Sequence, residues 1–153
     1  MGISMRSVGP ITLAPDTSIL AAGELVADTL VVPNIVRTKN FGAILQQASI
    51  IDSANQGAAL TLVFLGSNIS LGTVNSVPNI SAANSGSILG QVSFATTDYV
   101  ALTAGIKIAQ KTFLGIYLKP DTDTRDIYVA VLNGAGTPTY TANSLKIRLG
   151  LDD

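Results

Sequence analysis

The residues of this chain that could do chemistry are few, and their spacing defeats most of the reactions they suggest. Asp121, Asp123 and Asp126 stand in the run Lys119 to Asp126, KPDTDTRD, which has the acid density of a calcium loop. An EF-hand needs ligands at fixed alternate positions, a glycine at the sixth and a glutamate at the twelfth. Counting from Asp121, Arg125 falls on a ligand position and Asp126 on the glycine. The run therefore reads as a solvated hairpin loop between two strands, and no metal site is expected. Gly134-Ala135-Gly136 has the look of a phosphate cradle, but Thr137-Pro138-Thr139-Tyr140 follows it where a dinucleotide loop must open a helix. A serine nucleophile needs a base. The chain has no histidine, and none of Lys39, Lys107, Lys111, Lys119 and Lys146 stands in a Ser-x-x-Lys pattern. Paired carboxylates for glycoside cleavage are poorly supplied, because Glu24 is the sole glutamate. The expectation is a protein that is not an enzyme, with no catalytic residues and no cofactor.

Two absences support this. Histidine, the one side chain that ordinarily titrates near neutral pH, is missing, and so is cysteine, the readiest nucleophile. Charged residues make up 12 % of the chain, with a formal net charge of −1. The usual share is roughly 25 %. No charged side chain occurs from residue 53 to residue 97. Nucleic-acid binding needs a basic face that displaces counterions, so no nucleic-acid partner is expected. A spanning helix needs about 20 apolar residues, and the longest apolar run, Ala58 to Leu65, is far shorter, so no membrane partner is expected either. The opening MGISMRSVGP lacks the basic-then-apolar order of an export signal. Low net charge gives little repulsion between copies, which favours self-association.

The elements that must carry these residues are strands. Leu145-Lys146-Ile147-Arg148-Leu149 alternates apolar and charged residues, and so does Gly105 to Lys111 around Ile106 and Ile108. Period two marks a strand with one buried and one wet face. Turn chemistry at Gly66-Ser67-Asn68, Pro78-Asn79, Gly86-Ser87 and Asn133-Gly134 separates such runs. Strands are expected at 7–13, 24–37, 43–52, 59–66, 88–94, 98–102, 105–111, 113–119, 126–132 and 144–150. The fold class is thus all-β, an antiparallel β-sandwich of jelly-roll kind. Phe64, Ile108, Val129 and Ile147 are expected in one core. Ser81 can cap one short helical turn that Gly86 ends.

The domain organisation read from this pattern is an extended N-terminal arm, 1–23, and a single β-sandwich domain, 24–153. Pro10 and Pro15 interrupt ladder hydrogen bonding in the arm. Its apolar residues Val8, Ile11 and Leu13 then need a partner surface. Sugar recognition needs exposed aromatic rings. With no tryptophan, and with Tyr117 and Tyr128 inside strand patterns, Tyr99 and Tyr140 are the candidates. The candidate interface is therefore Val8, Ile11, Leu13, Tyr99 and Tyr140.

The strand segments also resemble a known group. Ser49-Ile50-Ile51-Asp52, Asn55-Gln56-Gly57-Ala58-Ala59-Leu60 and Leu62-Val63-Phe64-Leu65 look like a block of small virion proteins of tailed bacteriophages. Ile88-Leu89-Gly90-Gln91-Val92, Gly136 to Ala142 (GTPTYTA) and Leu145-Lys146-Ile147 fit it too, so the likeness spans roughly 35–150. The resemblance implies a β-sandwich made in the host cytoplasm and placed on the particle surface as a capsid decoration or cement protein. Its implied partners are the major capsid protein and copies of itself, a trimer being favoured over a dimer. The alternative is a receptor- or carbohydrate-binding module of a phage tail or fibre. The group has no catalytic residues to transfer.

Overall fold

The computed structural model describes residues 4–153. Ten strands form two antiparallel sheets: β1 (Met5–Thr12), β2 (Leu25–Val32), β3 (Ala43–Asp52), β4 (Leu60–Leu65), β5 (Ile88–Phe94), β6 (Tyr99–Thr103), β7 (Ile106–Lys111), β8 (Ile116–Leu118), β9 (Ile127–Asn133) and β10 (Leu145–Asp152). The larger sheet has the order β1-β10-β3-β7-β6, with β8 also paired to β3. The smaller has the order β2-β9-β4-β5. Strands β7 and β8 lie along successive stretches of β3, Ala48–Asp52 and Ala43–Leu45, as one interrupted strand. Pairing then runs from the outside of the chain inward: β1 with β10, β2 with β9, β3 with β7 and β8, β4 with β5. A long hairpin folded over in this way is a jelly roll. Strand β6 is an extra element hairpinned onto β7 at its edge.

Alternation explains the layers. In β10, Leu145, Ile147 and Leu149 are buried while Lys146 and Arg148 are exposed. The inward faces of both sheets share one core that contains Phe64, Val129 and Ile147. The central strand β4 is buried on both faces, because the segment 66–81 folds back over the outer side of the smaller sheet. Leu71 from that segment packs with Leu25, Val63, Leu65 and Ala130 in a second, smaller core. Burial on both faces thus accounts for the lack of charge in β4, whereas most of the rest of residues 53–97 is exposed or half-exposed and carries uncharged polar side chains. The short helix α1 (Ala82–Ser85) begins where expected, with Ser81 Oγ accepting the Asn84 N–H at 3.1 Å.

Four expectations need correction. The segment read as an arm does not stand apart from the domain. β1 pairs with β10 from Met5↔Asp152 to Thr12↔Lys146, and Leu13, Pro15 and Leu20 are buried. The boundary at residue 23 therefore divides nothing among the described residues, while residues 1–3 of the proposed arm lie outside them. Pro10 is accommodated because β1 is an edge strand with a register shift between Val8 and Ile11, where a missing donor costs no ladder bond. The run Lys119 to Asp126 is not a hairpin: it crosses from β8 in the larger sheet to β9 in the smaller. Ile108 does not join Phe64, Val129 and Ile147 inside; Ala109 takes the inward position on β7 and Ile108 stays half-exposed on the outer face. The long strand 24–37 stops at Val32, and Ile35 and Val36 reach the core from a turn.

Candidate interaction surface

One end of the sandwich is organised by Asp52, the last residue of β3. Its carboxylate is buried and accepts the backbone N–H groups of Ala54, Gln56 and Gly57 at 2.8, 2.9 and 2.7 Å. Three N–H donors on one carboxylate fix the following loop in a single path. Gln56 passes the order on, its Oε1 accepting the Thr139 N–H at 3.0 Å. Tyr140, only 1 % exposed, and half-buried Tyr99 belong to the core packing beneath these loops. Neither hydroxyl has a hydrogen-bond partner among the described residues. Burial pushes both hydroxyls well above the ordinary tyrosine range, with nearby negative charge, Asp52 in both cases, adding to it.

The opposite end is held by charge. Asp153 receives Arg6 at 2.7 Å and Arg37 at 3.0 Å. Burial raises the Asp153 carboxyl, but the hydrogen bonds and positive charge of the two guanidinium groups outweigh it and hold the carboxyl below its usual range. Arg6 also donates to the carbonyls of Asn34 and Ile35, both at 2.6 Å. This network ties β1 to the turn after β2, so its charges are spent on structure.

The acidic run disperses its carboxylates. Asp121 accepts from the Ser67 hydroxyl, and Asp126 accepts the Asn34 N–H at 2.8 Å. No group of three or more acidic, histidine or cysteine residues able to hold a metal forms among the described residues. No helix among them is long and apolar enough to cross a membrane.

The five residues expected at an interface do not share a surface. Val8 and Ile11 are half-buried opposite Leu149 and Ile147 on β10 and pack on the core. Leu13 is buried and donates its N–H to the Leu145 carbonyl at 2.9 Å. Tyr140 is enclosed and Tyr99 packs on the core, so neither offers a flat ring for a sugar. Leu13 and Tyr140 are corrections forced by burial: a side chain already enclosed cannot also meet a partner.

Exposed large apolar residues lie at several places, Ile19, Phe41 and Val77 among them, and one group lies on the outer face of the larger sheet. Cross-strand pairing aligns Ile51, Ile108 and Val100 in one row over β3, β7 and β6. Val100 and Leu102 are 62 % and 61 % exposed, and Ile106 flanks them. Further along, the detour between β7 and β8 presents Phe113 at 95 % exposure, with a positive φ of 57°. That backbone region is unfavourable for a bulky residue. The β1 and β10 side of the same face carries Lys146 and Arg148 instead. The sequence held a signal for this row. Val100 and Ile108 lie in opposed strands of a tight hairpin, and Lys107 and Lys111 share the phase of small, inward Ala109.

No protein-family model matches the chain, and no curated protein matches its sequence. Among solved structures, a chain of Desmodium yellow mottle tymovirus is similar at 11 % identity and a TM-score of 0.29, over 100 % of this chain and 83 % of that one. A chain from the structure of infectious bursal disease virus, Gx strain, is similar at 7 % identity and a TM-score of 0.23, over 99 % of this chain and 40 % of that one. The jelly-roll assignment rests on the strand order described above.

Proposed function

We propose that this protein is a non-enzymatic structural component of a phage particle, a decoration or cement protein that sits on the head and bridges subunits of the major capsid protein. The observation that carries the reading is the uncharged apolar row Ile51–Ile108–Val100, half-buried at the two isoleucines and exposed at Val100, together with exposed Phe113, on a two-sheet scaffold. Interface centres are depleted in charge and enriched in aromatic residues. A cement protein must hold neighbouring subunits against the pressure of a packed genome, which calls for dry, complementary contact and no turnover. The scaffold suits that task, since both termini of the described chain are locked into one sheet, β1 beside β10. The resemblance of residues 35–150 to small virion proteins of tailed phages points the same way.

A receptor- or sugar-binding role gains nothing from Tyr99 and Tyr140, because their rings are packed into the fold. The test is reconstitution. Purified protein added to particles that lack it should bind at saturable copy number and raise the temperature at which the genome escapes. Phe113→Asp should weaken binding at least tenfold while leaving the isolated fold intact. Absence of any binding to the particle contradicts the proposal.

A further inference from the structure

Five strands have an open side: β1, β6 and β8 in the larger sheet, β2 and β5 in the smaller. β1 carries Pro10 and a register shift, two devices that spoil an edge for pairing. The far side of β2 is covered at its start by its own chain: Asp16 donates to Val26, Ser76 accepts from Leu25, and Asn75 donates to the Leu25 carbonyl. β5 and β8 approach each other, Gly90 of β5 lying against the Ile116 side chain of β8. β6 differs in having no such neighbour and in the aliphatic side chains it exposes. Among the described residues no backbone or side-chain group bonds its far side. Its sequence, Tyr99-Val100-Ala101-Leu102-Thr103, holds no charge and no proline, and its two aliphatic side chains are largely exposed. Its one protective feature is a register shift between Ala101 and Thr103.

We infer that β6 is a self-association edge: two copies of this chain pair β6 with β6, antiparallel, about a twofold axis near Ala101. The pairing extends the larger sheet across both molecules and gives the free main-chain groups of β6 their partners. Three features select a second copy over a foreign strand. A twofold interface brings a patch against itself, so it must be self-complementary. With Ala101 on the axis, Val100 of each copy faces Leu102 of the other, so the row Ile51–Ile108–Val100 of each molecule continues onto Leu102 of the second copy. The strand is uncharged, and the nearest carboxylate, Asp98, is neutralised by Lys111 at 2.9 Å, so identical copies meet no like charge there. The inference goes beyond the particle role and replaces the threefold expectation for the isolated protein.

The experiment is analytical ultracentrifugation of the full chain over a wide concentration range, with two double variants at exposed positions that leave the core untouched. The wild type should pass from 15.7 kDa to twice that mass as concentration rises. V100K/L102K places like charges across the proposed axis and should stay monomeric, its dissociation constant raised at least 100-fold. V100E/L102K places opposite charges across the same axis and should recover most of the dimer. Circular dichroism of all three should superimpose. A wild type that stays monomeric throughout, a V100K/L102K variant that dimerises like wild type, or a V100E/L102K variant no better than it, each overturns the proposal; a mass of three chains does so as well. Binding of the wild type to particles, set beside its own oligomeric state, separates this inference from the proposed function on which it does not depend. A wild type that stays monomeric yet attaches refutes only the edge, whereas a wild type that dimerises but never attaches refutes only the particle role.

Discussion

Replacing Leu20 by alanine asks directly whether the N-terminal segment belongs to the core. Leu20 is 0 % exposed and packs in the main cluster, while its neighbour Ile19 is 68 % exposed. Truncating a fully buried leucine costs about 2–5 kcal/mol, the lost transfer energy plus the cavity left behind. Domains of this size are stable by about 5–15 kcal/mol in total, so the loss is a large fraction of the whole. At about 3 kcal/mol, and with a urea dependence of about 2 kcal/mol per M, the unfolding midpoint falls by about 1.5 M. The same loss lowers the melting temperature by about 6–12 °C. Equilibrium urea unfolding followed by far-ultraviolet circular dichroism measures the shift. Ile19→Ala serves as the control and should change stability by about 0.5 kcal/mol or less. Deleting residues 1–22 removes β1 as well and should leave a chain that does not fold. A Leu20→Ala loss below about 1 kcal/mol, or a truncated chain with an unchanged midpoint, refutes the assignment of this segment to the core.

Three further outcomes follow from the same packing. Phe64→Ala, near the end of β4 and fully buried, should cost about 3–5 kcal/mol in the same urea assay; a loss below about 1 kcal/mol places the ring outside the core. Asp52→Ala strips three backbone N–H groups of their acceptor and should cost at least about 2 kcal/mol, with faster amide hydrogen exchange at Ala54, Gln56 and Gly57; unchanged exchange there contradicts the role given to Asp52. Tyr99 and Tyr140 hold their protons in the folded state to higher pH than in the unfolded chain, whose tyrosines ionise near pH ~10. Their contribution to stability is therefore complete below pH ~10 and declines as pH rises above it. Tyrosinate absorbance from these two should appear together with unfolding, and a Tyr140→Phe variant that keeps the full step shows the hydroxyl was accessible.

What was legible in the sequence was what local pattern dictates. Strand β10 is evident from Lys146 and Arg148 between buried aliphatics, and β3 and β5 match their expected bounds because turn residues fence them. The Ser81 cap was readable because a helix start needs only its own few residues. What failed depended on distant parts of the chain. Pro10 and Pro15 suggested a detached arm, but an edge strand tolerates proline, and only the position of β10 makes β1 an edge. Ile106 and Ile108 looked like an inward face because they are the larger apolar residues. Their phase is instead set by pairing with β3, where Ile50, which faces the core, opposes Ala109. The run Lys119 to Asp126 has the chemistry of a hairpin loop, and nothing in it reveals that the two strands it joins lie in different sheets. Leu13 and Tyr140 drop out of the candidate interface for the same reason. Burial of Leu13 and Tyr140 is decided by sheet stacking, and the exposure of Val100, Leu102 and Phe113 by their place at the open side of the larger sheet.

The central claim is that this jelly roll holds a phage head together by contact alone. The most direct measurement is a cryo-electron microscopy reconstruction of the particle whose genome encodes the chain. The account predicts density for the two-sheet fold on the outside of the head, repeated with the symmetry of the shell. The face that bears Ile108, Val100 and Phe113 should be buried against a neighbouring protein. Density confined to the tail or a fibre tip, or none on the particle, contradicts it.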